Sequence, residues 1–386
     1  MVQVLPKIKG DKVIWGVIII LSVFSVLAVY SSTTTLAYRF KQGNTEYYLI
    51  KHLSILVLGF ALMYAAHKIK YVYYARISQV AVIISIPLLL YTLVFGASIN
   101  EASRWTTLPG VNIMFQPSDF AKLALIMFVA RMLAKKQENI KEFNNAFIPI
   151  ISPIIIICFL ILPANFSTAA ILFVTCVVLM FIGRVNMKYL LGMAGIGAAL
   201  LVIFVTFLLI SPKSSGRVGT WQNRITHFSS GDSEENFQVE QGKIAIARGG
   251  VFGQLPGNST QKNFLPNPFN DFIYAIIVEE YGLIGAIIVL LMYLILLYRG
   301  ILIVGRSPGN YGAFLAIGVT FSLVFQAMIN MAVAVNLLPV TGQPLPLVSM
   351  GGTSIWFTSI ALGIILSVSK ELESEPTEAE TADATT

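Results

Sequence analysis

Three groups of polar residues interrupt a chain of 386 residues that is 56% hydrophobic and only 12% charged. The first runs from Ala102-Ser103-Arg104-Trp105 to Gln116-Pro117-Ser118-Asp119 and on to Lys122. Pro117 suits the first position of a helix, where its missing N–H leaves no bond unmade. Asp119 then lies in the positively polarised first turn, and Lys122, three residues on, shares its face. Arg104 and Lys122 together suit a diphosphate. The other reading pairs Asp119 with Lys122 only to neutralise two charges, while Arg104 reaches for water.

The second group is Gly249-Gly250-Val251-Phe252-Gly253, Gly257-Asn258-Ser259, Leu265-Pro266 and Asn270-Asp271, followed by an apolar run that carries Glu279 and Glu280. The glycines permit tight turns or close approach of backbone to a ligand. Asp271 stands where loop meets span, a mixed dielectric in which a carboxylate gains basicity. Asn-Asp before an apolar run equally describes a helix N-cap, and both readings stay open. Glu279 and Glu280 fall about 12–14 Å further along the helix, too deep for idle surface charge. The third group is Asn330, then Leu338–Pro346 with three prolines, then Ser349-Met350-Gly351-Gly352-Thr353-Ser354. Irregular apolar backbone of this kind reads as a re-entrant or broken segment, tolerated at membrane depth only when buried in protein or lining a cavity.

Other chemistries lack their residues. There is no Walker A pattern, no HExxH and no GxSxG, and His52, His67 and His227 are widely separated. No metal site is expected from these residues. Cys158 and Cys176 sit inside apolar runs and read as small core residues rather than a disulfide. Chemistry therefore rests on carboxylates, Lys and Arg.

The elements that position these groups are membrane spans. A soluble domain is about 45–50% apolar and ~25% charged; a mean hydropathy of +0.77 does not fit inside one water-soluble globule. The net charge of +7 is scattered between apolar runs, which favours topology signals over a nucleic-acid surface. The expectation is an all-α polytopic integral membrane protein with ten transmembrane helices. They are Val13–Tyr30, Tyr48–Ala66, Ile77–Gly96, Ser118–Leu133, Ala146–Leu162, Thr168–Ile182, Tyr189–Ile210, Phe272–Leu297, Tyr311–Val335 and Ser354–Ser369. With the amino terminus inside, fifteen Lys and Arg fall in the inner segments, against four in the short outer loops, Arg39, Lys41, Lys51 and Arg104. That bias puts both termini in the cytoplasm and the polar groups outside. Residues 1–12 are then a cytoplasmic N-terminus leading into an uncleaved signal-anchor. Residues 13–369 form the membrane domain, 211–270 a large extracytoplasmic loop, and 370–386 a disordered acidic cytoplasmic tail.

The same residues resemble the SEDS family (shape, elongation, division, sporulation) over nearly the whole chain. Ala102–Lys122 is similar to the family's ASRW…QPSE-x-x-K signature, and Gln238-Val239 through Gly253 to its YQ…A-x-x-x-GG-x-x-G stretch. Asp271–Gly285 resembles DFIFA-x-x-x-EE-x-G-x-x-G, and Thr341–Ser354 resembles TG-x-PLPF-x-S-x-GGSS. Gly257–Lys262 with Leu265-Pro266 has the form more usual in the division branch of the family than in its elongation branch. The resemblance implies a peptidoglycan glycosyltransferase of ten spans that polymerises lipid II at the outer face of the bacterial cytoplasmic membrane, for septal wall synthesis. It implies a class B penicillin-binding protein as partner beside other divisome proteins, with lipid II and polyprenyl-linked glycan as ligands. By the same resemblance Asp271 is the general base, and Arg104, Gln116, Asp119, Lys122 and Ser349 bind substrate or its diphosphate. Glu279, Glu280, Asn258 and Lys262 support them. No cofactor is built in; a divalent cation, Mg or Mn, would accompany the lipid diphosphate.

The chain departs from the family pattern in places. Pro163-Ala164-Asn165-Phe166-Ser167-Thr168 stands where many members have an acid in E/Q-P-D-x-G-T, and Phe269-Asn270 replaces the usual His-Thr before the aspartate. Met350 replaces a Tyr and Thr353 a Ser. Two further readings compete with the enzyme: a flippase for the lipid-linked precursor, and a non-catalytic division scaffold. Polar groups gathered at one side rather than along a path favour the enzyme.

Overall fold

The computed structural model describes residues 9–40, 42–99, 102–107, 114–210, 219, 222, 234–307 and 309–372. Most of the expected long loop before residue 234, the tail beyond 372 and the first eight residues lie outside the described residues.

All ten expected spans are helices. In chain order they are α1 (Lys12–Ser32), α3 (Thr45–Lys68), α4 (Tyr71–Phe95), α5 (Pro117–Lys135), α6 (Ile148–Ile161), α7 (Phe166–Ile182), α8 (Met187–Ile210), α10 (Ile273–Arg306), α11 (Asn310–Ala334) and α12 (Thr353–Leu372). Eight of the helical segments are long and apolar enough to cross a membrane. Of the other two, α7 is an apolar helix of 17 residues, and α5 spans 19 residues that include Asp119, Lys122, Arg131 and Lys135. The short α2 (Thr34–Phe40) follows α1, and α9 (Glu234–Gly249) occupies the part of the chain expected to be loop. With mixed charge and little apolar periodicity, α9 gave no span signal. It packs on α10. A small antiparallel sheet, β1 (Ala97–Ile99), β2 (Ala102–Thr107) and β3 (Met114–Phe115), joins α4 to α5 in the order β1-β2-β3, with Ala97 opposite Trp105 and Thr106 opposite Phe115.

Successive spans run back and forth, so α1, α10 and α12 bring their ends together. At the end remote from the polar groups, Asp11 caps α1 by accepting from the N–H groups of Val13 and Ile14, the latter at 3.2 Å. Its carboxylate also pairs with Arg299 of α10, whose Nε donates at 2.6 Å, and its N–H donates to Ser369 Oγ of α12 at 3.1 Å. A buried cap and a charge pair thus fasten three spans at one point. Helix packing within the bundle uses small residues, as lipid offers no hydrophobic drive between helices. Gly363 of α12 lies so close to α3 that a Cβ there would collide with Met63 O.

Two stretches break the helical rule. Within α10, Gly282 has φ 66° and ψ −166°, a left-handed conformation that divides the helix. The break frees backbone N–H groups, and the loop after α9 supplies acceptors: Leu283 N donates to Gly250 O at 2.9 Å and Ile284 N to Val251 O at 3.4 Å. The second stretch is residues 335–352, irregular throughout and largely buried from Gln343 to Ser349. Its carbonyls are met by side chains of surrounding spans. Gln326 donates to Pro344 O at 2.9 Å, Asn330 to Gln343 O at 2.7 Å, Tyr293 to Pro346 O at 2.6 Å and Ser25 to Val348 O at 2.9 Å. This is the broken segment read from Pro339, Pro344 and Pro346, buried in protein as bilayer physics demands.

Candidate functional site

α5 begins as its sequence dictates: Pro117 takes the first helical turn and Asp119 the same turn. Lys122 lies 3.6 Å from Asp119, with both side chains mostly buried, so the neutralising pair is present in the structure. Lys122 also donates to Gln326 Oε1 of α11 at 2.8 Å. An ammonium has three donors, so these two partners still allow a third. A small cavity lined by Asp119, Lys122, Ser322, Ser354, Phe357 and Thr358 lies beside the pair. Gln116 precedes the helix; its N–H donates to Thr353 Oγ1 at 3.3 Å and its amide to Ser118 at 3.0 Å. Arg104 lies on β2, and its side chain is outside the described residues.

Asp271 is half-buried in a turn just ahead of α10. The helix begins at Ile273, and the cap position belongs to Phe272, which makes no side-chain cap bond. Asp271 thus stands one residue ahead of the cap position. The turn's backbone carbonyls are held by donors from the irregular segment and from α11. Asn330 Nδ2 donates to Asp271 O at 2.9 Å, Ser349 Oγ to Asn270 O at 2.7 Å, and Met350 N to Phe269 O at 2.9 Å. Gln326 and Asn330 are four residues apart on α11, about 6 Å along its axis. One helix face thus holds both Lys122 and the backbone of Asp271, and all three polar groups meet there.

The family acid missing before α7 has a local substitute in structure only. Asn165 caps α7 by accepting from Thr168 N at 3.2 Å, and Thr168 Oγ1 accepts from Gln343 at 2.8 Å. Glu279 and Glu280 are fully buried and serve the loop before them. Glu279 accepts from Ser259 Oγ, from Thr260 N and Oγ1 at 3.1 Å, and from Gln261 N at 3.3 Å. Glu280 accepts from Ser31 of α1, and Lys262 Nζ bridges Ser31 Oγ at 3.2 Å and Gly257 O at 2.7 Å. These three charged residues brace residues 257–262 between α1 and α10. Asn258 is exposed and bonds to Gln254 O at 3.1 Å within the same loop.

Gln326 was not singled out by sequence, and Gln343 and Thr168 were read only as members of the stretches Leu338–Pro346 and Pro163–Thr168. The spacing of Gln326 and Asn330 on one face of an apolar helix was the available signal. Cys158 and Cys176 are free and buried.

The chain matches the family model described as a cell cycle protein, covering FtsW, RodA and SpoVE, over residues 11–374. It is 34% identical over 380 residues to a probable peptidoglycan glycosyltransferase FtsW of Geobacter metallireducens, covering 95% of this chain and 96% of that one. It is 32% identical to the stage V sporulation protein E of Bacillus subtilis, covering 94% and 98%. In fold it is similar to a chain of a peptidoglycan synthase complex (TM-score 0.74, 22% identity, 95% and 99% covered) and to the rod shape determining protein RodA of Thermus thermophilus (TM-score 0.64, 22% identity, 94% and 97% covered).

Proposed function

Since the chain belongs to the FtsW, RodA and SpoVE family of cell cycle proteins, we propose that it is a peptidoglycan glycosyltransferase that polymerises lipid II, with Asp271 as general base. The observation that carries this reading is the half-buried carboxylate on a turn fixed by Asn330, Ser349 and Met350 N. A base so held takes the proton from the acceptor sugar's 4-hydroxyl as that oxygen attacks the anomeric carbon of the donor. The anomeric C–O bond to the diphosphate breaks, the proton rests on Asp271, and polyprenyl diphosphate leaves. A positioned base contributes about 10²–10⁴ in rate, and alignment of two lipid-linked sugars supplies much of the remainder.

Lys122, with Arg104, would stabilise the leaving diphosphate; its ammonium is oriented in advance by Asp119 and Gln326. Gln116 lies at the mouth of the same helix and Ser349 beside Asp271. Among the described residues no three His, Cys, Asp or Glu side chains gather to hold a metal ion. In this reading a divalent cation would accompany the substrate's diphosphate.

The protein is a multi-pass membrane protein. In this reading both termini are cytoplasmic, the site faces outward, a class B penicillin-binding protein is the partner, and the place of action is the division septum. The test is lipid II polymerisation by the purified chain with its cognate partner, the partner's transpeptidase serine inactivated. Glycan from wild type and none from a folded Asp271→Asn variant is the expected result. Equal polymer from both ends the Asp271 mechanism. No polymer from either, with lipid II crossing vesicle membranes, puts a flippase in its place.

A further inference from the structure

We propose that the loop between α9 and residue 257 is a membrane wedge, with Val251 and Phe252 inserted among the acyl chains of the leaflet on the site's side. The argument starts at the break in α10. Tyr281–Tyr298 carries no charge and is bounded by Glu279-Glu280 at one end and Arg299 at the other. Its 18 residues span about 27 Å, close to the ~30 Å of a bilayer's hydrocarbon core. Gly282 thus lies just inside the hydrocarbon margin, where freed N–H groups have no water to turn to.

The loop enters to meet them. Gly250 O and Val251 O accept from Leu283 N and Ile284 N, and Gln254 N donates to Glu279 O at 2.9 Å. The approach is backbone on backbone: a Cβ at Gly249, Gly253 or Gly282 would collide with Val278 O, Glu280 O or Val251 O respectively. The loop is therefore fixed at the height of the break, and its side chains are fixed with it. Val251 is 54% exposed and Phe252 80%. Their loop is bonded at Leu283 and Ile284, which with Ile287, about one turn on, are also exposed on a helix long and apolar enough to cross the membrane. An apolar tip continuous with a lipid-facing stripe has acyl chains as its neighbour. Because residues 257–262 of the same loop are clasped by Glu279, Glu280 and Ser31, the wedge sets the height of the candidate site above the leaflet.

The test uses the full chain in nanodiscs of phosphatidylethanolamine and phosphatidylglycerol, with Cys158→Ala and Cys176→Ala as background. Spin labels are attached through Phe252→Cys and, separately, Val251→Cys, so that one position remains if the other does not fold. Collision with oxygen and with an aqueous nickel chelate is measured for each. Leu291→Cys, on the exposed face of α10, marks lipid, and Asn258→Cys marks water. The wedge predicts an oxygen-to-nickel ratio near that at Leu291. A ratio near that at Asn258 overturns it, and so does low access to both reagents, which would mean that protein, including a second copy, covers the tip. None of these outcomes depends on whether the chain polymerises lipid II.

Discussion

Lys122 is held between a carboxylate and an amide in a nearly dry place, and that sets what its loss should do. Lys122→Met leaves Asp119 buried without its counter-charge. Breaking a buried pair in this way costs about 3–5 kcal/mol, whereas removing both partners is often nearly neutral. The unfolding midpoint in detergent should therefore drop for Lys122→Met and recover in Asp119→Asn/Lys122→Met. Polymerisation should stay low in both if the ammonium also meets the diphosphate. Recovery of activity in the double variant would leave Lys122 only the neutralising role. Pro117, Asp119 and Lys122 were readable from residue type and spacing alone, because helix-start chemistry is local. Gln326 and Gln343 were not, because their partners, Lys122 and Thr168, lie 204 and 175 residues away.

Among the elements, α10 shows where hydropathy stops being informative. The charge-free run announced a span, but a break in it is invisible to any window average, since one glycine is an ordinary resident of such helices. Gly282 has a conformation that is essentially glycine's alone, at a cost of about 1–3 kcal/mol for other residues, with a neighbouring carbonyl in the space of a Cβ. Gly282→Ala should therefore lower the unfolding midpoint well below that of wild type. Gly305→Ala, in the same helix with open space around it, should leave it unchanged or raise it slightly. Equal midpoints for the two variants would deny that the break is fixed by its docked loop. The irregular stretch 335–352 was legible in kind from its prolines. Its satisfaction by Gln326, Asn330, Tyr293 and Ser25 was not, because the stretch must fold back on the span before it to meet Gln326 and Asn330, and Tyr293 and Ser25 come from other spans.

For the whole molecule, the two ends of the bundle do different work. The site end is a network of polar groups around Asp271; the far end is a clasp of Asp11, Arg299 and Ser369. Asp11→Ala removes a helix cap worth about 1 kcal/mol and leaves Arg299 without its partner. Arg299 is partly exposed, so the total should be about 1–3 kcal/mol, below the figure for a fully buried pair. The expected outcome is a lower unfolding midpoint with unchanged polymerisation per folded molecule at moderate temperature. A loss of turnover without a loss of stability would show that the far end communicates with the site. Eight of the ten expected helices were legible because the bilayer imposes a length and a composition on a traversal, and the shorter α7 and the charged α5 from their apolar runs. The joining of the first and last spans was not.

That joining bears on how the protein is made. A ribosome releases Asp11 and Ser25 first, yet Ser25 bonds to Val348 O and Asp11 to Ser369 Oγ. Chains build from the amino terminus at about 5–20 residues per second, so the first span waits in the lipid for most of synthesis before these two partners arrive, with His52 of α3 the earlier partner of Ser25. Translation that stops before residue 348 yields a product that can never close. Such fragments, whatever number of spans they contain, are the natural prey of membrane quality control.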